Sequence, residues 1–216
     1  MAPARSTPPS RPAHRPSARE AMLDAAEAHL GADGTLTLDS AARAAGVTKP
    51  GLMYHFSTKE QLLGAILDRM AARYERELLA QVAARHPGAA DDLADAPAGL
   101  AEAPADQRHL AYLDWACTAA LSAADLVIFA DPHLRVTLTE RWQEQVETWL
   151  HVPAGVAADR RARLLAVRLM ADGLWFDRAA GLLDQVGAEA QRLRSLAAEL
   201  LGEVAAEGES AGAEAP

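Results

Sequence analysis

The sequence predicts an all-α fold, with an N-terminal three-helix domain that contains a helix-turn-helix and a C-terminal helical bundle. Apolar residues recur at three-to-four spacing in segments that Gly and Pro separate, and no stretch alternates long enough to indicate a strand. A length of 216 residues leaves room for one small domain and one of about 140 residues. The predicted units are an arm at 1–18, the helix-turn-helix domain at 19–65, the bundle at 66–207 and a disordered tail at 208–216.

The first 18 residues predict a disordered arm, because they contain five prolines and three arginines but no acidic residue. No apolar run follows the basic residues, so a signal peptide is not expected. Arg5, Arg11 and Arg15 belong either to an inert tail or to an arm that reaches toward a nucleic acid bound beside the first helices.

Cap residues mark the starts of the helices that follow. The predicted pairs of N-cap and N3 residues are Ser17 with Glu20, Thr37 with Ser40, and Ser57 with Glu60. Gly46 supplies a left-handed stop after the helix that runs through Ala45, and Thr48 can cap the next helix. The pattern predicts a tight corner between two short helices, with a longer helix on each side.

The short helix at 48–56 has two different sides on its helical wheel. Leu52 and Phe56 share one face, which is too small to stabilise a helix of about two turns, so this face must dock on neighbouring helices. The other side and its flanks offer a cation, hydrogen-bonding groups and a glycine that permits close backbone approach. These residues are Lys49, Pro50, Gly51, Tyr54 and His55. Within a helix-turn-helix, they indicate a surface that reads DNA.

Residues 45–63, AGVTKPGLMYHFSTKEQLL, resemble the DNA-binding segment of the tetracycline-repressor (TetR) family of bacterial regulators, and the resemblance extends over about residues 19–67. It implies an all-helical homodimer with a recognition helix in the major groove and a C-terminal domain that binds an inducer. The matching positions are Thr37, Ala42, Ala45, Gly46, Val47, Thr48, Leu52, His55, Phe56, Lys59, Glu60 and Leu62.

Two positions depart from the family pattern. Met53 stands where the recognition helix usually has Tyr, and the neighbouring Tyr54 is the candidate replacement. Ala41 stands where the preceding helix usually has Ile, and each buried methylene lost there would cost about 0.8 kcal/mol. The expected DNA-contacting residues are Thr37, Arg43, Thr48, Lys49, Pro50, Gly51, Tyr54, His55 and Lys59.

The charge distribution agrees with DNA binding at the N-terminal part of the chain. The net charge of −9 argues against a protein that coats nucleic acid indiscriminately. Residues 1–61 hold seven basic and six acidic residues, a net +1, so the remainder carries −10. The sequence has two lysines, Lys49 and Lys59, and both lie in the motif; accidental placement in an arginine-preferring chain is the alternative.

The remaining helices are predicted from apolar periodicity at 58–85, 106–123, 125–131, 133–151, 158–184 and 188–206, with a loose linker at 86–105. Helix 158–184 is apolar on nearly every side, and the last helix has an apolar stripe that contains Leu196 and Leu200. We expect both to pack against their copies as a four-helix bundle, which makes a homodimer through residues 158–206. Burial inside a monomer is the alternative.

The resemblance also implies a cavity between the helices that begin near residues 106, 133 and 158, and a small apolar effector is expected there. The expected ligand-binding residues are Trp115, Phe129, Trp142, Asp172, Trp175 and Phe176. The plainer alternative is that the aromatic residues form the core and that Asp172 pairs with Arg168 on the surface of one helix.

No pattern indicates a catalytic residue, a metal site or a cofactor. The seven histidines lack metal-ligand spacing, and the G-x-S-x-G match at 208–212 lies in the polar tail. The single Cys117 fits a reducing cytoplasm, and no run of about 18 apolar residues indicates a membrane span.

These observations predict a cytoplasmic, ligand-responsive transcriptional regulator, favouring a repressor that binds a palindromic operator as a homodimer. One alternative is a DNA-binding regulator of the same fold without a small-molecule effector. Another is a helical enzyme or binding module in which the helix-turn-helix is vestigial.

Overall fold

The computed structural model describes residues 17–85, 99–183 and 186–202, and within these ranges all regular structure is helical, as predicted. The helices are α1 (Ala18–Asp33), α2 (Leu38–Ala44), α3 (Lys49–His55), α4 (Lys59–Ala84), α5 (Ala105–Thr118), α6 (Arg135–Leu150), α7 (Ala158–Ala179) and α8 (Ala188–Leu201), with 3₁₀ helices at Leu100–Glu102 and Ala123–Phe129. Most of the predicted arm, most of the predicted linker and all of the predicted tail lie outside the described residues.

Three of the predicted helix starts are confirmed by their cap hydrogen bonds. The Ser17 hydroxyl accepts from the backbone N–H of residue 20 at 3.2 Å, and the Thr48 hydroxyl accepts from that of Gly51 at 3.2 Å. Thr37 and Ser40 form a reciprocal capping box, each side chain accepting from the other's backbone N–H at 3.0 Å. These bonds satisfy N–H groups that the first turn of a helix leaves without a partner.

The predicted capping box of Ser57 and Glu60 is wrong by one residue. Thr58 is the N-cap of α4, and its hydroxyl accepts from the backbone N–H of Gln61 at 3.1 Å. The Gln61 side chain in turn accepts from the backbone N–H of Ser57 at 3.0 Å. Ser57 and Thr58 are adjacent hydroxyl residues, and each could serve as the N-cap of α4. The Gln61 side chain reaches back across the first turn, and this hydrogen bond stabilises the arrangement in which Thr58 is the N-cap.

Two helices end earlier than predicted, and the predicted helix 125–131 is a 3₁₀ helix. Helix α5 stops at Thr118, because Ala119 adopts an extended conformation (φ −56°, ψ 145°). Helix α7 ends at Ala179, where Gly181 takes a left-handed conformation (φ 69°) and Leu182 donates back to the carbonyl of Asp177 at 2.8 Å. This arrangement is a Schellman-type end, and apolar periodicity alone does not reveal it.

Helix α4 is the central element of the fold. Its buried side chains recur from Leu62 to Val82, and it packs against α1 of the N-terminal domain and against α5, α6 and both 3₁₀ helices. The predicted domain boundary at residue 65 therefore lies within a continuous helix. Helix α5 in turn packs most extensively on α7, and α8 covers both. None of the described helices has the length and apolar content needed to cross a lipid bilayer.

A buried carboxylate joins α4 to the 3₁₀ helix Ala123–Phe129. Asp125 is only 3% exposed and accepts from the Tyr74 hydroxyl, from the Arg73 guanidinium at 3.0 Å and from the backbone N–H of Ser122 at 2.6 Å. Arg73 also donates to Glu27 of α1 at 2.8 Å. Burial and the nearby carboxylate raise the pKa of Tyr74 well above its usual value, so its hydroxyl remains a donor. The network ties α1, α4 and the 3₁₀ helix together.

Candidate nucleic-acid interface and effector-binding region

The helix-turn-helix consists of α2, α3 and a turn in which Gly46 has a positive φ of 67°. Leu52 and Phe56 are fully buried, as predicted, and the guanidinium of Arg19 lies 4.9 Å from the centre of the Phe56 ring. Ala41, the departure from the family pattern in α2, is also fully buried. Because its two large apolar side chains are held in this core, α3 presents its opposite side outward.

The predicted DNA-contacting residues differ in their exposure. Tyr54 is 86% exposed, and its ring meets the ring of His55 edge to face at 5.1 Å. The other predicted residues divide into an exposed group and a half-buried group. The exposed group is Thr37, Arg43, Thr48, Lys49 and Pro50, and the half-buried group is Gly51, His55 and Lys59. The exposed residues, with Tyr54 among them, thus offer cations, hydroxyl groups and an aromatic hydroxyl.

Both lysines of the chain are held by aspartates. The Lys49 ammonium lies 2.9 Å from Asp39 of α2, and the Lys59 ammonium lies 2.6 Å from Asp131, which follows the 3₁₀ helix Ala123–Phe129. The hydrogen bond from Lys59 lowers the pKa of the Asp131 carboxyl, and the backbone N–H of His133 contributes in the same direction. Sequence reasoning missed both aspartates, since neither is close to its lysine along the chain.

Three of the six predicted ligand-binding residues, Trp115, Trp142 and Trp175, lie in an aromatic cluster among α4, α5, α6 and α7, and a fourth, Asp172, is hydrogen-bonded to it. The Trp142 and Trp175 rings stack at 5.8 Å, and the Trp115 and Tyr112 rings stack at 5.6 Å. The Tyr112 hydroxyl donates to Asp172 at 2.8 Å. The members of the aromatic cluster are Tyr74, Tyr112, Trp115, Trp142, Trp149 and Trp175.

The other two predicted ligand-binding residues lie apart from the aromatic cluster. Phe129 and Phe176 meet edge to face at 6.4 Å on the surface, where both are exposed. Sequence reasoning also missed Tyr112, because its contact with Asp172 joins α5 to α7 across 60 positions.

A charged surface groove is lined by residues of α6 and by one residue of α7. Its volume is about 680 Å³, and its lining residues are Glu140, Gln143, Glu144, Glu147 and Arg168. The Arg168 guanidinium also lies 3.5 Å from Asp172, so the predicted pair within α7 is present. The groove thus shares Arg168 with this ion pair, and its walls are polar rather than apolar.

Apolar side chains on α7 and α8 form an exposed stripe. Leu165 and Leu169 of α7 are 50% and 58% exposed, and Leu196 of α8 is 49% exposed. The opposite side of α7 faces α5 and is buried, including Leu164 and Val167. On α8 the predicted stripe is divided, since Ala197 and Leu201 are buried, Leu196 is exposed, and Leu193 and Leu200 are half-buried.

Comparison with known proteins supports the fold and the N-terminal domain. Residues 22–66 match the sequence model of a family described as bacterial regulatory proteins, tetR family. The N-terminal domain belongs to the TetR family. A search of curated protein sequences finds no significant match.

The similarity in fold to solved structures extends beyond the matched segment. The multidrug binding protein EbrR in complex with malachite green superposes with a TM-score of 0.53 at 22% identity, over 86% of this chain and 98% of that chain. EbrR in complex with imidazole gives a TM-score of 0.51 at 23% identity, over 86% of this chain and 96% of that chain. At this identity the likeness shows the fold, which includes the C-terminal helices.

One buried histidine in the C-terminal helices predicts a pH-dependent stability. His109 is almost fully buried in α5, and its Nδ1 lies 2.7 Å from the carbonyl of Ala105. Burial lowers the pKa of His109 from 6.5 to about 4, and the charge of Arg108 contributes in the same direction. The unfolded chain therefore binds a proton below pH 6.5 that the folded protein accepts only near pH 4.

We expect His109 to contribute stability that is fully present above pH 6.5 and is lost as the pH falls toward 4, by about 3 kcal/mol in total. Urea unfolding of the wild type and of His109→Phe between pH 7.5 and 4 would measure this, because the variant lacks the titrating group. His151→Gln, which removes an exposed histidine, should retain the wild-type pH dependence. Parallel curves for wild type and His109→Phe would contradict the prediction.

Proposed function

We propose that the protein is a ligand-responsive transcriptional repressor, which binds a palindromic duplex operator as a homodimer and is released by a small apolar effector. The observation that supports DNA binding most directly is the exposed side of α3, held rigidly by the burial of Leu52 and Phe56 in a TetR-family domain. The proposal combines three parts: a DNA surface, a dimer face and an effector region.

The DNA surface has the chemistry that a major groove requires. A groove of about 12 Å admits one helix, and side chains on its outer face then meet base edges while flanking groups contact phosphates. On α3, we expect the exposed Tyr54 to meet bases or phosphates, and Lys49 supplies a cation in the first turn. Arg43 and the hydroxyl groups of Thr37 and Thr48 flank them as candidate phosphate contacts.

The dimer face is the exposed stripe of α7 and α8. Leu165, Leu169 and Leu196 are large apolar side chains that remain in solvent on a single chain, and exposed apolar patches of this kind typically mark an interface. Two copies packed through these helices would form a four-helix bundle with twofold symmetry. The symmetry would place two α3 helices on two half-sites, which accounts for the palindrome.

The effector region is the aromatic cluster with Asp172. The cluster offers ring faces for an apolar, aromatic compound and one carboxylate to orient it. The complexes of EbrR with malachite green and with imidazole support ring-containing compounds as the first to test. The rings of the cluster touch one another, so binding requires Trp142 and Trp175 to separate. Trp142 is half-buried and gives access from the surface.

The release mechanism follows from the position of Tyr74. Its ring contacts Trp142 at 6.0 Å, and its hydroxyl donates to Asp125 of the 3₁₀ helix that packs on α1. A compound that displaces Trp142 would therefore disturb the junction that positions the DNA-binding domain. A change in the spacing of the two α3 helices by this route would weaken binding to both half-sites together.

The alternative of a regulator without an effector is favoured by one observation. The rings of the aromatic cluster are stacked on one another at 5.6 and 5.8 Å, so the predicted apolar site is filled by the protein's own side chains. A protein of this kind would bind DNA in the same way but would not respond to ring-containing compounds.

Selection of bound duplexes from a random pool should return a palindrome, and Tyr54→Ala and Lys49→Ala should each weaken binding to it by about 1–3 kcal/mol because each loses a direct contact. Fluorescence anisotropy with the selected duplex would measure both. Arg192→Ala removes one positive charge from exposed α8 and should bind as the wild type does. Unchanged affinity in both α3 variants would place the DNA surface elsewhere.

Leu169→Glu should convert the dimer to monomers, because a charge at the centre of the α7 stripe cannot be buried against its copy. Light scattering after size exclusion would give the mass. Val136→Glu is the matched control, since Val136 is equally exposed but lies on α6. A wild-type monomer at micromolar concentration would refute the dimer, and a DNA affinity in Leu169→Glu equal to that of the wild type would refute its role in binding.

Malachite green, used as the probe, should quench tryptophan emission and weaken DNA binding, with a coupling of about 5–150-fold that applies in both directions. Asp172→Asn and Trp175→Phe should weaken binding of the probe, whereas Asp159→Asn, an exposed carboxylate on the same helix, should not. Release of DNA by the probe without any effect of the Asp172 and Trp175 variants would place the effector site outside the aromatic cluster.

A further inference from the structure

We propose that Asp131 competes with DNA for the ammonium group of Lys59, so that this ion pair restrains the DNA-free protein from binding. The inference rests on the proposed DNA binding and adds a regulatory residue that lies outside the helix-turn-helix. Asp131 lies in the C-terminal half of the molecule, but through Lys59 it would lower the affinity of the proposed DNA surface.

The position of Lys59 makes it available to either partner. It is the first residue of α4, three residues after the buried Phe56 that ends α3, and its side chain is about one-quarter exposed. Its ammonium lies 2.6 Å from Oδ2 of Asp131. Because the start of α4 lies beside the proposed DNA surface, a backbone phosphate could reach the same ammonium.

Asp131 is held in place independently of the lysine. It follows the 3₁₀ helix Ala123–Phe129, and its Oδ1 accepts from the backbone N–H of His133 at 2.8 Å. Lys59 and this backbone N–H both lower the pKa of the Asp131 carboxyl, so it is ionised at neutral pH. The turn therefore fixes a negative charge at the point from which Lys59 would leave to meet a phosphate.

A phosphate and the Asp131 carboxylate cannot both keep close contact with Lys59 without repelling each other, since the two anions would be separated by little more than the ammonium group. Binding of DNA at this position therefore requires the ion pair to break or to loosen. The free energy needed to break this ion pair is subtracted from the free energy of DNA binding. It therefore limits how much Lys59 contributes to DNA affinity.

The second lysine provides an instructive contrast. Lys49 also pairs with an aspartate, but Asp39 lies in α2 of the same helix-turn-helix and would move with it. Asp131 instead follows the 3₁₀ helix that Asp125 fastens to α4. Of the two lysine pairs, the one with Asp131 links the start of α4 to a residue outside the helix-turn-helix, so its aspartate can be replaced without a change in α2 or α3.

The test compares Asp131→Asn with the wild type for binding to the duplex selected from the random pool. Asparagine keeps an oxygen for the N–H of His133, so the turn is retained while the charge is removed. We expect tighter binding, by up to about fivefold per half-site, which corresponds to the range measured for exposed ion pairs. In a Lys59→Gln background the same substitution should change the affinity little, because the contested ammonium is absent.

The control is Asp68→Asn, which likewise removes one negative charge. It breaks the ion pair of Asp68 in α4 with Arg141 in α6 but leaves Lys59 untouched. Thermal unfolding of each variant would confirm that the fold is intact. Tighter binding by Asp131→Asn that requires Lys59 and is absent in Asp68→Asn would support the inference. The inference would be overturned if Asp131→Asn bound DNA with the wild-type affinity. It would also be overturned if Asp68→Asn tightened binding equally, or if Asp131→Asn tightened binding equally in the Lys59→Gln background. A wild-type protein that binds no duplex would overturn the proposed function as well.

Discussion

The buried carboxylate of Asp125 is the contact on which the arrangement of the two halves depends. A carboxylate out of water costs several kcal/mol unless its oxygens are hydrogen-bonded and its charge is paired. Here Tyr74, Arg73 and the backbone of Ser122 supply those partners, and they come from α4 and from the start of the 3₁₀ helix itself. The 3₁₀ helix is therefore fastened to α4, and because it packs on α1, it also positions the first helix of the DNA-binding domain.

The same network explains why the N-terminal and C-terminal parts are mechanically connected. Helix α4 has 26 residues, a length of about 39 Å, and it contributes core residues to both parts. Arg69 and Arg73 bind Glu27 of α1 on one side, while the ring of Tyr74 lies in the aromatic cluster on the other. A rearrangement of the rings can therefore reach α1 through two adjacent residues of a single helix.

Charge has a separate role in this acidic protein. Most of the basic residues are arginines, and many of them form ion pairs with carboxylates or cap helix ends, as Arg108 does by donating to the carbonyls of Trp149 and His151. The two lysines differ, because they lie at the proposed DNA surface and each is paired with a single aspartate. An ammonium held by one ion pair in partial solvent is more readily transferred to a phosphate than a guanidinium that is shared among several acceptors.

The sequence by itself determined the features that depend on residues a few positions apart. The capping box of Thr37 and Ser40, the positive φ of Gly46 and the burial of Leu52 and Phe56 all follow from local hydrogen bonding and helical periodicity, which the order of residues encodes directly. The misplaced N-cap at Ser57 shows the limit of such rules, since two neighbouring hydroxyl residues satisfied them equally well.

Only the tertiary structure decided which distant side chains meet. The aspartate partners of Lys49 and Lys59 lie 10 and 72 positions away, and Tyr112 meets Asp172 from another helix, so no spacing rule could pair them. It also showed that the rings of the aromatic cluster fill the region where a cavity was expected, and that Phe129 and Phe176 lie outside it. The physical reason is that packing of this kind depends on how whole helices are oriented, and that orientation results from many weak contacts between distant parts of the chain rather than from any single segment.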